Sequence, residues 1–264
     1  MEAVHWLMKR VRQRVMDRRY SVNEILAGRY QIEKVLQNGS YGIIYLCADL
    51  KSGQRCVVKQ MRKSKKKENI ENYAKETAIL QQLNHSGIPA LIESFSHNEE
   101  SFFSMEFVEG KNVEDTLFAS GHQYSEMECL LLTKKLTEIV CYIHQNGVFH
   151  GDIRIPNVLL HEDQIHLIDF GLANTLGDGN PKERELLAQD DFFDLGDFLL
   201  FLLYSSYDGD MKRNRPWTEE LSLHPQTTML LKRLLKIERP YYHCEEVLED
   251  IDKLISQFTK KTPS

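Results

Sequence analysis

The feature that most constrains the fold of this chain is the order of its strand-like and helix-like segments. Residues 30–60 hold three short runs of β-branched and aromatic residues, separated by turns that contain glycine, which predicts an antiparallel meander. A helical pattern over Glu68–Leu83 and two further strands, Leu91–Ser96 and Phe102–Phe107, follow. From Ser125 onward, a capping box and helical apolar spacing predict long helices. This order predicts an α+β fold, with a small antiparallel sheet and one helix ahead of a larger, mainly helical part.

The length and the composition agree with two folded parts. The chain has 264 residues, of which 42% are hydrophobic and 27% are charged, as is typical of globular proteins. It is long enough for two lobes, with a natural seam near Glu109–Gly110. The most apolar run, Phe198–Tyr204, has seven residues, far fewer than the ~20 that cross a bilayer. We therefore expect a buried helix there and a cytoplasmic protein.

Charge is unevenly distributed along the chain. Of the formal net charge of −6, residues 1–20 contribute +4 and the remaining residues −10. The overall acidity argues against a nucleic-acid partner. The basic segment places apolar residues at helical spacing, which predicts an amphipathic helix that either packs on its own domain or docks weakly on a membrane surface or a partner. A second basic run, Arg62–Lys67, is predicted to be the solvated start of a helix.

The cysteines do not indicate a disulfide framework. They are odd in number and far apart, and no two of them form a Cys-x-x-Cys pair. We therefore expect reduced thiols in the core. The five are Cys47, Cys56, Cys129, Cys141 and Cys244.

Two features of the first part of the chain are suited to binding phosphate. Gly39 and Gly42 lie in a turn between two predicted strands, where glycine lets backbone N–H groups approach a phosphate closely. An ordinary hairpin turn is the alternative. Lys59 closes the third strand, and Glu76 on the next helix is placed to reach it as an ion pair. Without that pairing, the lysine is simply a charge at a strand edge.

Two loops in the second part carry oxygen ligands. Asp152 and Asn157 lie in a loop between a helix and a short strand, where they offer one carboxylate to a substrate hydroxyl and one amide oxygen to a metal. Asp169 follows the next strand and precedes a glycine turn. Hard oxygen ligands of this kind suit Mg²⁺, whose coordination is completed by phosphates and water. Each loop taken alone is equally consistent with an ordinary turn.

All of these elements stand in one order, and together they resemble the eukaryotic-type (Hanks-type) serine/threonine protein kinases over residues 30–258. The resemblance implies a two-lobed kinase fold, ATP as the phosphoryl donor and Mg²⁺, or Mn²⁺ in its place. The compact length favours a bacterial member. We expect a basic N-terminal extension over 1–28, an N-terminal lobe over 29–108, a C-terminal lobe over 109–258 and a tail over 259–264.

The resemblance also implies a role for individual residues. In this family a lysine held by a glutamate binds the α- and β-phosphates, an aspartate acts as the catalytic base, and a basic residue two positions later steadies the transferred phosphoryl group. The catalytic residues implied are Lys59, Glu76, Asp152 and Arg154. The metal ligands implied are Asn157 and Asp169. The implied contacts to the nucleotide are Leu36, Gly39, Ser40, Gly42, Ile44, Val57, Lys59, Glu106, Val108 and Leu159.

The chain departs from the family pattern where such enzymes are regulated. Gly151 stands in the place of the arginine that usually grips a phosphate on the activation loop. That loop, which starts at Asp169, is short and lacks an Ala-Pro-Glu motif; Pro181–Glu183 is a loose substitute whose glutamate is predicted to meet Arg239. Thr175 is the sole serine or threonine in it. We therefore predict an enzyme that is not switched on by activation-loop phosphorylation.

Three functions remain open from the sequence. The leading one is ATP-dependent phosphorylation of serine or threonine in proteins, autophosphorylation included. A phosphotransferase for small molecules is the first alternative, because His-Gly-Asp also resembles aminoglycoside and choline kinases; the intact Asp169–Gly171 motif and the compact length speak against it. A pseudokinase scaffold is the second, and the retained catalytic set speaks against it. An arginine at the position of Arg154 also occurs in some tyrosine kinases, so tyrosine stays open as the acceptor. The oligomeric state stays open as well.

Overall fold

The computed structural model describes most of the chain. The described residues are 18–39, 42–62, 66–176, 180–209 and 215–260. The amphipathic helix predicted for residues 1–20 therefore lies largely outside the described residues, as does most of the predicted tail. None of the described helices is long and apolar enough to cross a membrane.

Backbone contacts divide the chain into two compact units. The sheet unit contains the described residues of Met1–Asn84 together with Pro89–Phe107, and the helical unit contains His85–Ile88 and the described residues from Val108 onward. An antiparallel sheet with one helix in the first unit and a mainly helical second unit confirm the predicted α+β class. The bounds of the four predicted segments stay a prediction.

A six-stranded antiparallel sheet and one long helix form the sheet unit. The strands are β1 (Ile25–Leu26), β2 (Tyr30–Asn38), β3 (Gly42–Asp49), β4 (Arg55–Met61), β5 (Leu91–His97) and β6 (Glu100–Glu106). Helix α1 spans Lys66–Gln82, between β4 and β5. The strand order is β1-β2-β3-β4-β6-β5. The predicted meander and the strands that follow it are confirmed, and most bounds are slightly longer because the pairing continues into the turns; the last strand ends at Glu106, one residue earlier than predicted.

Buried polar side chains tie the start of the described chain to this sheet. The Tyr20 side chain is buried, and its hydroxyl donates a hydrogen bond to Glu100 Oε2 at 2.8 Å. The Tyr45 hydroxyl donates to Gln60 Oε1 at 2.6 Å, and Gln60 Nε2 donates to the backbone oxygen of Arg18 at 2.8 Å. Because an unpaired polar group in the core is costly, these bonds stabilise the packing. This part of the predicted N-terminal extension therefore packs on the sheet.

Helices and short hairpins form the helical unit. Its helices are α2 (Val113–Ser120), α3 (Glu126–Gln145), α4 (Pro181–Tyr204), α5 (Trp217–Glu220), α6 (Pro225–Leu234) and α7 (Cys244–Lys260). Its strands are β7 (Lys111–Asn112), β8 (Val148–Phe149), β9 (Val158–His161), β10 (Gln164–Leu167) and β11 (Asn174–Thr175). The capping box predicted at Ser125 is present, with Glu128 as its second member. The apolar run predicted as a buried helix lies within α4, and its residues 198, 199, 202 and 203 are buried.

The expectation of five reduced cysteines is wrong for two of them. Cys141 near the end of α3 and Cys244 at the start of α7 form a disulfide, with their Cα atoms 5.4 Å apart. Helices α3 and α7 pack against each other and bring together residues 103 positions apart, which sequence spacing does not reveal. Both cysteines line a cavity of about 450 Å³ within the helical unit. Cys47, Cys56 and Cys129 are free and buried.

Candidate active site

In the sheet unit, Lys59 and Glu76 form the ion pair that the sequence predicts. Lys59 Nζ lies 2.6 Å from Glu76 Oε1 and 2.9 Å from Oε2, so the contact is bidentate. The two residues are 3% and 2% exposed. In so dry a setting, each charge depends on the other, because an unpaired buried charge is strongly unfavourable. The ring of Phe103 lies 5.8 Å from the same ammonium nitrogen, which adds a favourable contact.

The glycine turn between β2 and β3 brings its backbone close to neighbouring strands. The Gly39 N–H donates to Gly42 O at 3.0 Å. A Cβ at Gly42 would lie 2.7 Å from Gln60 O, so only glycine fits at this position of β3. Ser40, which the resemblance places against the nucleotide, lies outside the described residues.

Arg62 holds the end of β2 at this turn, which differs from the place that the sequence predicts for it. It was predicted to be part of a solvated helix start, but it is buried and precedes α1. Its Nε donates to Gly39 O at 2.7 Å, and its Nη2 donates to Asn38 Oδ1 at 2.5 Å. The guanidinium thus fixes the end of β2 from the far end of β4. A basic run offers no sign of which member turns inward, so nothing in the sequence separates Arg62 from the lysines that follow it.

The other predicted nucleotide contacts are distributed over both units. In the sheet unit, register places Ile44 opposite Lys59, and Val57 lies two residues before Lys59 on the same face of β4. Leu36 on β2 is exposed. The Glu106 N–H donates to Ala90 O at 2.9 Å, at the end of β6. In the helical unit, Val108 and Leu159 are partly buried.

In the helical unit, three of the predicted residues meet in one loop between β8 and β9. Asn157 Nδ2 donates to Asp152 Oδ2 at 2.8 Å and to Asp152 O at 3.0 Å. Arg154 Nε lies 3.1 Å from Asp152 Oδ1, and the arginine side chain is mostly exposed. One oxygen of the Asp152 carboxylate therefore accepts a hydrogen bond from the Asn157 amide, and the other pairs with the Arg154 guanidinium. This loop, residues 150–157, is called the catalytic loop below.

The loop is fixed by a buried carboxylate, Asp191, for which the sequence motifs predict no role. Asp191 on α4 is fully buried. Its Oδ2 accepts the His150 N–H at 2.9 Å and lies 2.8 Å from His144 Nε2, while its Oδ1 accepts the Gly151 N–H at 2.7 Å. Gly151 has φ +69, a left-handed conformation that favours glycine. A carboxylate next to the apolar residues of a buried helix was the available signal, because an acid placed there needs buried donors.

Asp169 lies two residues after the end of β10 and next to the catalytic loop. The Ile168 N–H donates to Asn157 O at 2.9 Å, which joins the chain before Asp169 to the loop. Asp169 has φ +64, and its Oδ1 accepts the Gly171 N–H at 3.4 Å. The His150 ring packs edge-on against Phe170 at 4.8 Å between ring centroids, and burial lowers the pKa of this histidine. His150 therefore supports the loop as a neutral ring.

The donor set of this unit fits a magnesium ion. Because Asn157 Nδ2 is bonded to Asp152, the amide oxygen Oδ1 is the atom of that side chain suited to a cation. Asp169 supplies a carboxylate. Among the described residues, no cluster of three or more His, Cys, Asp or Glu residues is placed to hold a metal. Mg²⁺ needs only one or two protein ligands when phosphates and water complete its coordination. Asn157 and Asp169 would therefore hold it.

The predicted contact between Glu183 and Arg239 is absent from the described part of the chain. Asn180 caps α4, and Glu183 at the third helical position bonds with it: Asn180 Nδ2 donates to Glu183 Oε2 at 2.6 Å. The helix start thus uses the glutamate for its own cap. Arg233 instead makes the ion pair in this region, with Asp250 Oδ2 at 2.7 Å.

Comparison with known proteins assigns the chain to a family. The family described as protein kinase domain matches residues 30–190. The chain belongs to the protein kinase family. Members of this family use ATP, typically with Mg²⁺, and act on protein substrates. The resemblance to this family inferred from the sequence motifs is thereby confirmed.

Relatives and solved structures agree with this assignment. The kinase is 40% identical over 254 residues to the "Probable serine/threonine-protein kinase YbdM" of Bacillus subtilis (strain 168), covering 96% of this chain and 99% of that protein. It is 33% identical over 154 residues to the serine/threonine-protein kinase cds1 of Schizosaccharomyces pombe, covering 56% of this chain and 33% of the relative. A crystal structure of the Mycobacterium tuberculosis PknI kinase domain, in a mutant form, superposes with a TM-score of 0.70 at 19% identity, covering 89% of this chain and 99% of that one. This last likeness confirms the fold.

Proposed function

We propose that this kinase transfers the γ-phosphoryl group of ATP to serine or threonine hydroxyls of proteins, itself included, with Mg²⁺ as the metal. The observation that carries the proposal is the catalytic loop, in which Asp152 is oriented by Asn157 and Arg154 while Asp191 holds the backbone. A catalytic base needs such an orientation, because it must be held within reach of the proton that it accepts. The near full-length similarity to a protein named as a serine/threonine kinase supports this choice of substrate.

The site residues of each unit then have defined roles. Bound Mg-ATP supplies the phosphoryl group and neutralises its charge. Lys59, fixed by Glu76, binds the α- and β-phosphates, because a bidentate carboxylate keeps the ammonium in one place. Asp152 accepts the proton of the attacking hydroxyl, and Arg154 steadies the negative charge that develops during the transfer. Asn157 would hold the metal through its amide oxygen.

The deciding experiment is incubation of the full chain with γ-labelled ATP and Mg²⁺, with and without a generic basic protein. We expect label on serine or threonine of protein. Asp152→Asn is expected to lower the rate by about 10³-fold, because a positioned base contributes 10²–10⁴-fold. Asp163→Asn, in the exposed turn between β9 and β10, is the matched control and should retain the wild-type rate.

Other products would identify the alternatives. Label on tyrosine would show that the acceptor is tyrosine and not serine or threonine, and the assignment as a protein kinase would stand. Label only on small hydroxylated compounds would replace the protein substrate with a small molecule. No label on any product, together with equal ATP binding by wild type and Asp152→Asn, would indicate a scaffold.

Three finer expectations are part of this proposal. The enzyme is expected to be active without phosphorylation of its activation loop, because Gly151 provides no arginine to bind a phosphate there. We also propose a cytoplasmic location and, for the basic residues 1–20, weak docking on a membrane surface or a partner. Of this segment, residues 18–20 lie within the described part of the chain, and the Arg18 guanidinium is 4.9 Å from the centroid of the Tyr20 ring.

A further inference from the structure

A second carboxylate of α4 also reaches the catalytic loop. Asp194 lies three residues after Asp191 and therefore on the same side of the helix. Its Oδ2 accepts the N–H of Ile153 at 2.9 Å. Asp191 takes the amides of His150 and Gly151. Three backbone N–H groups around Asp152 thus donate hydrogen bonds to two carboxylates that lie one helical turn apart.

The contact of Asp194 completes the fixation of one particular peptide group. The peptide bond between Asp152 and Ile153 has its carbonyl oxygen bonded to Asn157 Nδ2 at 3.0 Å. Its N–H is the group that Asp194 accepts. A peptide held at both ends cannot rotate about the bonds that flank it. Because this peptide begins at Asp152, its plane sets the direction in which the Asp152 side chain leaves the backbone.

The electrostatic setting of Asp194 is unfavourable for its charge. Burial, as the largest cause, raises the pKa of Asp194 to about 6; the nearby carboxylates of Asp191, Asp152 and Asp197 contribute to this increase, and the bond from Ile153 opposes it. The charged groups named here, on α4 and on the loop, are all acids. A carboxylate kept in such a place reduces the stability of the fold, which is common for groups that serve a functional site.

We propose that Asp194 is a positioning residue for phosphoryl transfer, acting through the peptide group that follows Asp152. It does not touch the substrate; it fixes the direction of the catalytic aspartate. The proposal rests on the function assigned to Asp152 above. The alternative is a merely structural hydrogen bond, whose loss would lower stability and leave the turnover of the folded enzyme unchanged.

The test compares Asp194→Leu with Asp194→Asn by steady-state kinetics. Leucine removes the acceptor, and we expect kcat to fall by about 10–100-fold, with KM for ATP within about twofold of wild type, because misplacement of a catalytic group of about 1 Å has an effect of this order. Asparagine keeps an acceptor oxygen and should restore kcat to within about threefold. Asp197→Leu, the next acid on the same helix and an exposed one, is the matched control and should leave kcat unchanged.

Hydrogen exchange of the Ile153 amide provides a readout that does not depend on catalysis. We expect faster exchange in Asp194→Leu than in wild type, and near wild-type exchange in Asp194→Asn. If Asp194→Leu does not fold, Asp194→Ser replaces it, because a serine side chain is too short to reach the same N–H. A wild-type kcat in the folded leucine or serine variant would overturn the proposal, and so would an equal loss in Asp197→Leu.

The failure of this proposal can be told apart from failure of the kinase assignment. If the assignment is wrong, Asp152→Asn changes no product and no variant of Asp194 affects transfer. If only the positioning role is wrong, Asp152→Asn still lowers the rate by about 10³-fold, while the folded Asp194→Leu enzyme turns over like wild type.

Discussion

The two units hold their key charged groups by different means. In the sheet unit, Lys59 is held by one side chain of opposite charge, and both partners are buried. In the helical unit, the loop around Asp152 is held mainly through its backbone amides, which end on Asp191 and Asp194. A side-chain pair fails when either partner is changed. The carboxylates of Asp191 and Asp194, called the clamp below, spread the restraint of the loop over several hydrogen bonds. The loss of one of these bonds therefore changes the direction of the Asp152 side chain more than it changes the stability of the fold.

This comparison also shows what the sequence can reveal. Lys59 and Glu76 were predicted because opposite charges on neighbouring elements are visible as residue types. Asp191 and Asp194 were missed as clamp residues because their partners are backbone N–H groups, which every residue except proline carries. The disulfide was missed for a related reason: Cys141 and Cys244 meet only through helix packing. The fold class, the strands of the meander and the capping box at Ser125 follow from patterns along the sequence, and these predictions are confirmed.

The largest expected effect concerns the pair in the sheet unit. Glu76→Gln should lower the free energy of unfolding by about 3–5 kcal/mol, because the Lys59 charge stays buried without its partner. The double variant Lys59→Met with Glu76→Leu should recover much of that loss while remaining inactive. Urea denaturation of the two variants measures the difference. Lys51→Met, an exposed lysine in the turn after β3, should show neither effect. Equal stability of Glu76→Gln and wild type would remove the contrast between the units.

The next effect concerns the cysteines, which also differ between the units. Cys47 and Cys56 face each other across β3 and β4 and stay free, whereas Cys141 and Cys244 are bonded. We expect Cys141→Ser to lower the free energy of unfolding under non-reducing conditions by about 2–4 kcal/mol. Cys129→Ser, on the same helix as Cys141, is the control.

A count of reactive thiols in unfolded protein gives an independent check on the bond. Before reduction we expect the three free cysteines to react, and after reduction all five. Five thiols in protein purified without reductant would show that the two cysteines of the helical unit are as free as those of the sheet.

A smaller effect concerns the pH dependence of stability at the clamp. Because the pKa of Asp194 is about 6 in the folded protein and 3.8 is its ordinary value, the ionised form is disfavoured by folding. The resulting loss of stability is present above pH 6 and disappears as the pH falls toward 4. We therefore expect Asp194→Asn to melt about 2–4 °C above wild type at pH 8, with a gap that closes below pH 6. A gap that is constant with pH, measured by calorimetry, would contradict the unfavourable charge at the clamp.

The smallest expected effect is none at all. Thr175 lies on β11, paired with Val148, and is exposed. Because Asp191 and Asp194 already hold the catalytic loop without a phosphate, Thr175→Ala should leave the transfer rate within about twofold of wild type. The rate of enzyme treated with a phosphatase is the companion measurement. A folded Thr175→Ala variant without activity would mean that the helical unit needs a phosphate to complete its restraint.

The clamp has a consequence for how this enzyme is made in the cell. The hydrogen bonds from the catalytic loop to α4 join residues 40 and 41 positions apart, and the residues matched to the family described as protein kinase domain end at 190, one position before Asp191. A nascent chain that has reached that point already contains every residue assigned to phosphate, metal and base. Its catalytic loop still lacks both carboxylates that fix it. We therefore expect full activity to appear after α4 has left the ribosome, when Asp191 and Asp194 can accept the loop amides.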